Sequence, residues 1–300
     1  MRATTLSTIA ASLLLLSTRP GPAAPLAPSA FGYDTAAPLD ERTLTTSRSG
    51  DVNATLLTFA SQTRRVRGEL IAPARPATRH PAVLFVHWLG DTAPTTNHTE
   101  FESDARVLAS RGVTCLLVDA MWSNADSGGK DWFSQVRSTS TDYAASIAQV
   151  IDLRRGLDLL LAQPGVDPSH LAYVGHDFGS MYGAVLSGVD PRPRYYVLMA
   201  GTTTFSQWYL LGTKPPDVPT YVAQMAPLDP LAYLSRSSAH GFMFQFATHD
   251  PYVTAAHARA FFEAAPTPRA MFVYDAHHDL NVPLAHQDRL DWLEARLLHR

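Results

Sequence analysis

Leu171-Ala-Tyr-Val-Gly-His-Asp-Phe-Gly-Ser180 decides how the chain is read. Its first half, Leu171 to Gly175, is apolar and of strand length, and a helix is expected from the turn to about Val189. Glycines stand two residues to either side of Asp177. A corner that runs from strand straight into helix holds its central residue in a strained conformation, and glycines beside it remove the clashes. The central side chain then projects above the sheet, beside the amino end of the helix. Asp is also a favoured helix N-cap, but a cap has no need of the flanking glycines. The flanking glycines therefore mark Asp177 as more than a helix cap.

Outward from this corner, strand and helix alternate. Pro81 to His87 is a continuous apolar run, as in a strand covered on both faces. Val113 to Asp119, Tyr195 to Ala200, Gly241 to Ala247 and Arg269 to Tyr274 are further strands. Helices are expected over Thr99 to Arg111, Asp142 to Gln163, Val253 to Ala265 and Pro283 to Leu298. Thr99 with Glu102 forms a capping box and Gly112 ends the first of these. Tyr143, Ile147, Val150, Ile151, Leu157 and Leu161 form one apolar stripe on the second, which Pro164-Gly165 stops. Val52 to Phe59 and Arg64 to Ile71 read as an antiparallel hairpin. Such alternation predicts an α/β fold, a mostly parallel central sheet with helices on both faces.

Two further residues stand at strand ends in the order nucleophile, acid, histidine. Asp250 follows the Gly241 strand, and His278 follows the Arg269 strand in Tyr274-Asp-Ala-His-His-Asp-Leu280. The carboxyl ends of parallel strands are where such sheets hold ligands. Asp250 could instead serve only to cap the helix near Tyr252. His277 and His278 point apart, and His278, four beyond Tyr274, is preferred. His249, Asp250, His277, His278 and Asp279 also invite a metal reading, but a triad clusters at the same edge. No metal or cofactor is expected.

The 300 residues are 46 % hydrophobic and 17 % charged, with 13 Phe, 11 Tyr and 5 Trp, which excludes a mostly disordered chain. Net charge is −3 with no long run of either sign, which argues against a nucleic-acid partner. The single cysteine excludes an internal disulfide. Apolar stretches fall short of the roughly 18 residues needed to span a bilayer, so no stable membrane insertion is expected. Residues 1–23 have the pattern of a signal peptide: Arg2, an apolar stretch from Leu6 to Leu16, then Gly21-Pro22-Ala23. A secreted or periplasmic location follows from that pattern. Residues 24–50 read as a Pro/Ala-rich linker and N-terminal arm, and 51–300 as one domain. Between Ala200 and Gly241, Phe205, Trp208, Tyr209, Tyr221, Met225 and Tyr233 suggest a short lid over about 202–240, or else helices packed on the sheet.

From about residue 31 to 298 the layout resembles the dienelactone-hydrolase-like branch of the α/β-hydrolase superfamily. The segments that carry the resemblance are Pro81-Ala-Val-Leu-Phe-Val-His87, Ala109-Ser-Arg-Gly-Val113, Val166-Asp-Pro168 and Tyr274 to Leu280. That branch implies cleavage of esters or lactones by Ser or Cys. The elbow Gly175-His-Asp-Phe-Gly179 is similar instead to epoxide hydrolases and haloalkane dehalogenases, which use Asp. The sequence lacks the long cap domain usual in the Asp families.

An ionised carboxylate needs no base to attack, and at saturated carbon it forms an ordinary alkyl ester, whereas attack on an ester gives an anhydride. His278, oriented by Asp250, would then activate water against that ester. Charge on the Asp177 carboxyl would rest on the backbone N–H groups of Phe178 and of Trp88 or a neighbour, a hole worth about 3 kcal/mol per donor. Trp88, Trp122, Trp208, Tyr182 and Tyr209 are candidates for leaving-group contact, and His87 is structural or pocket-lining. The sequence thus predicts an exported, cofactor-independent hydrolase of a small apolar substrate. The alternative is a catalytically silent scaffold that binds a ligand. Oligomeric state is not legible.

Overall fold

The computed structural model describes residues 23–298 apart from 63, 91–93 and 125–131. The signal-type segment therefore lies outside the described residues, save Ala23.

Nine strands among the described residues form one sheet: β1 (Arg42–Ser49), β2 (Val52–Ala60), β3 (Arg65–Pro73), β4 (His80–Val86), β5 (Thr114–Val118), β6 (Val166–His176), β7 (Tyr195–Met199), β8 (Gly241–Ala247) and β9 (Arg269–Tyr274). Their spatial order is β1-β2-β3-β5-β4-β6-β7-β8-β9. The first three strands meander antiparallel and β3 meets β5 antiparallel. From β5 to β9 every neighbouring pair is parallel. All seven residues of β4 are buried, as its uninterrupted apolar run requires.

The helices are α1 (Glu102–Ser110), α2 (Thr139–Ala162), α3 (Phe178–Val189), α4 (Ser206–Tyr209), α5 (Val218–Met225), α6 (Pro230–Leu234), α7 (Ala255–Ala264) and α8 (Pro283–Leu297). Two apolar clusters show which face each covers. Leu153, Leu157 and Leu160 of α2 pack with Met181 and Val185 of α3 on one side. Ala105 and Leu108 of α1 pack with Leu293 and Leu297 of α8 on the other. Each large apolar side chain so buried contributes about 1.5–3 kcal/mol, which fixes both layers on the sheet.

One consequence of the strand order places the site. The chain leaves β4 toward β5 on one side, and leaves β6 toward β7 on the other. The loops after β4 and β6 therefore part above a crevice, with Val86 beside Gly175 at its floor. His87 to Gly90 and Asp177 open onto it.

Three expectations need correction. Residues 24–50 are not merely a linker, because Arg42–Ser49 is an edge strand paired with β2. All eight of its residues are exposed, so no apolar alternation marks it. The arm before it is packed down, with Phe31 fully buried against Tyr233. The first helix is entered through a 3-10 turn capped by Asn97, whose side chain accepts from Thr99 N–H, and not by a Thr99–Glu102 box. Within 202–240 the residues read as a short lid follow the alternative of packing on the sheet: Phe205, Trp208, Tyr209, Tyr221, Met225 and Tyr233 all join the core, and Phe205 and Trp208 also meet Phe178 of the elbow.

Candidate active site

The corner is built from backbone contacts. Asp177 has φ 57° and ψ −118°, outside the regions open to most side chains. A Cβ at 175 would strike the Gly179 carbonyl, and one at 179 would strike the Val86 carbonyl. Glycine at both positions lets β6, α3 and β4 close to contact. Two hydrogen bonds hold the turn: Asp177 N–H donates to Met199 O at 2.9 Å, and the Tyr173 hydroxyl to Gly179 O at 2.6 Å.

The Asp177 carboxyl is buried, and its two oxygens differ. Oδ2 accepts the Leu89 N–H at 2.9 Å. Oδ1 is buried with no hydrogen-bond partner among the described residues. The Nε2 of His278 lies 3.9 Å from Oδ2, close enough for an ion pair and for one water to bridge. On its other side His278 donates Nδ1–H to Asp250 Oδ2 at 2.7 Å. Asp250 is itself fixed, since its Oδ1 accepts the N–H groups of Tyr252 and Val253 at 2.8 and 2.9 Å. Those two bonds make Asp250 a turn-forming residue as well as the partner of the imidazole.

Charge is arranged accordingly. Burial raises the pKa of Asp177 above the ordinary carboxylate value, outweighing the pull of His278, His176 and the Leu89 amide. Burial alone would depress His278, but the Asp177 and Asp250 carboxylates push it up to about 9. Burial disfavours the Asp250 charge too, yet His278 and the two backbone N–H groups hold its carboxyl below the ordinary value. The imidazole of His278 therefore stands between two carboxyl groups that both favour its protonated form.

Trp88 is not the amide that meets Asp177. Its N–H is already donated to Glu100 Oε2 at 2.6 Å, and the amide that meets Asp177 is that of its neighbour Leu89. Phe178 opens α3, so its N–H lacks an intrahelical acceptor. The Trp88 carbonyl accepts the Trp122 indole N–H at 3.2 Å and faces His87 Nδ1 at 2.7 Å. Clamped at both ends, the Trp88 peptide aims Leu89 at Oδ2.

The expected pocket residues separate into two groups. His87 is fully buried, with Nε2 accepting from Ala120 N–H, so it braces the loop rather than lining a pocket. Burial depresses its pKa and keeps it neutral. Tyr182, Tyr209 and Ser146 close a ring of hydroxyls at 2.8, 2.8 and 3.0 Å, which removes both phenols from leaving-group duty. Trp122 stacks on Tyr182 at 5.3 Å. Trp208 is the one beside the imidazole: its ring centroid is 5.3 Å from His278 and 5.4 Å from Phe178. Its indole N–H has no hydrogen-bond partner among the described residues. His277 turns away toward His249, which pairs with Asp275 at the surface.

Sequence reasoning missed Glu100 and His176. His176 is fully buried between Glu100, at 2.6 Å from Nδ1, and the His278 carbonyl, at 2.9 Å from Nε2. Its place in the elbow motif was visible; its partner, 76 positions earlier, carried no signal.

Fold and site together define an α/β-hydrolase fold with an aspartate at its elbow. Solved structures share the architecture. An acetyl xylan esterase from a Paenibacillus species superposes with a TM-score of 0.69 at 14% identity, over 90% of this chain and 92% of that one. Acetyl xylan esterase 1 of Thermoanaerobacterium gives 0.69 at 15%, over 87% and 89%. A cold-adapted esterase from an Arctic intertidal metagenomic library gives 0.60 at 17%, over 84% and 97%. No family model and no curated protein matches the sequence.

Proposed function

We propose that the protein is an exported hydrolase that displaces a leaving group from saturated carbon through a covalent ester of Asp177. One observation carries this reading: Asp177 presents an unpaired, buried Oδ1 while its Oδ2 rests on the Leu89 amide. Oδ1 is the attacking atom. As the O–C bond forms, the carbon–halogen bond breaks and its electron pair leaves with the halide, which the Trp208 N–H would receive.

Alkylation also removes the Asp177 charge. The support that held His278 near 9 is halved, so the imidazole sheds its proton with the departing halide. Neutral His278 then takes a proton from water as the water oxygen attacks Cγ of Asp177. Charge lands on Oδ2, against the Leu89 and Phe178 N–H groups. Collapse expels the alcohol, protonated by His278, and the new carboxyl returns its proton to the imidazole. The resting ion pair is thus the product state of each cycle.

An epoxide is the second reading. It is favoured by Tyr252, whose ring packs 5.1 Å from His278 and which is half exposed, so that its phenol could protonate an opening ring. The neighbours named as esterases share the scaffold, but an aspartate attacking an ester would form an anhydride. Turnover of a short haloalkane in heavy-oxygen water, followed by mass spectrometry of the peptide holding residue 177, tests the route. Label in Asp177 is expected. Turnover without label, or no covalent adduct with any haloalkane or epoxide, overturns it and favours a ligand-binding scaffold. Export is tested by the N-terminal sequence of the chain recovered outside the cytoplasm, expected to begin near residue 24.

A further inference from the structure

Glu100 touches three parts of the crevice at once. Its Oε2 accepts the Trp88 N–H, which fixes the loop carrying Leu89. Its Oε1 meets His176 Nδ1, and His176 Nε2 meets the backbone carbonyl of His278. The His176 ring also lies flat on Trp88, with centroids 5.4 Å apart and planes within 2°. A single chain of hydrogen bonds joins the loop after β4, the end of β6 and the loop after β9.

The proton count in this chain is fixed by what its ends are. A carbonyl can only accept, so His176 Nε2 carries a hydrogen. Nδ1 faces a carboxyl oxygen at 2.6 Å, a distance that requires a second proton between them. Imidazole is ordinarily the stronger base of the two. The carboxyl's other oxygen also accepts a short bond from Trp88 N–H at 2.6 Å.

We propose that His176 is a doubly protonated imidazolium locked by Glu100, and that the pair are positioning residues which hold the Leu89 amide and His278 in register with Asp177. The functional meaning rests on Asp177 being the nucleophile; the proton count does not. His176 adds a second positive charge beside a buried carboxylate, and it acts on Asp177 in the same direction as His278. The charged groups around it are Glu100, Asp177 and the His278–Asp250 pair, so the cluster holds three carboxylates against two imidazoliums.

Glu100→Gln separates charge from position. Its amide oxygen still accepts the Trp88 N–H, and its amide nitrogen donates to a His176 that has lost the Nδ1 proton. Nitrogen NMR of the full-length protein, with the His176 signals assigned by His176→Gln, reads the count directly. In the wild type both His176 nitrogens are expected to be protonated; in Glu100→Gln one is bare. The Asp177 carboxyl, followed by carbon NMR, is expected to titrate at higher pH in the variant. Turnover should fall by about tenfold near pH 6 and recover toward wild type near pH 9, a split that simple unfolding would not give. A bare nitrogen on His176 in the wild type overturns the inference, as does an unmoved Asp177 titration in Glu100→Gln. Should Asp177 never take oxygen label while His176 proves doubly protonated, the functional reading fails and the electrostatic one stands. Label with unmoved titrations gives the converse.

Discussion

Two buried polar clusters flank the ring of Phe178, and they are finished differently. On the α2–α3 side, Ser146, Tyr182 and Tyr209 form a closed ring in which every hydroxyl can donate once and accept once. On the other side, Asp177 leaves Oδ1 unpaired and stands 3.9 Å from His278. Both are dry. A satisfied cluster stabilises and does nothing else, because any reaction would cost it a bond. An unsatisfied buried carboxylate is costly to keep and gains by reacting. The contrast separates scaffold from chemistry more sharply than residue type does, since two tyrosines fall on the inert side.

The largest effect expected from breaking this contrast is at Asp177. Asp177→Asn should lower turnover by about 10⁴-fold or more, since no later step can rescue a missing nucleophile. The same change should not lower the melting temperature at pH 8. A carboxyl whose folded pKa is raised costs stability once ionised, and the amide removes that cost. A clear fall in melting temperature would mean that Asp177 is structural.

A smaller effect concerns His278. Its folded pKa of about 9 lies above the ordinary 6.5, so its contribution to stability is full below pH 6.5 and is lost as pH rises through 9. Wild-type protein should therefore lose stability over that window. Asp250→Asn should flatten the loss, and should slow turnover by about 10³-fold through a poorly oriented imidazole. Equal pH slopes in the two proteins would refute the assignment.

The smallest effect lies in the closed cluster. Tyr209→Phe opens the hydroxyl ring and should cost about 1 kcal/mol of stability, with turnover within a factor of about two of wild type. A large loss of turnover with stability intact would place Tyr209 in the chemistry after all.

How much of this was legible in the sequence follows from range. The parallel strands announce themselves as apolar runs, because burial on both faces leaves no room for alternation. The elbow is legible because glycines must sit at fixed spacing around it. The histidine and acid are legible because strand ends converge. β1 was not, since a strand exposed on both faces needs no apolar residues. The choice between the Trp88 and Leu89 amides was not either, because it depends on Glu100 capturing one of them. Side-chain partners separated by dozens of residues, such as Glu100 with His176 or Ser146 with Tyr209, leave no periodic trace.

The corner at 175–179 has an evolutionary corollary. Its closure is main chain against main chain, and the group at position 177 is no part of that seal. A hydroxyl or thiol set there would stand at the same height over the sheet. In such an architecture the side chain at the corner can change by one codon while the backbone seal beneath it stays as it is.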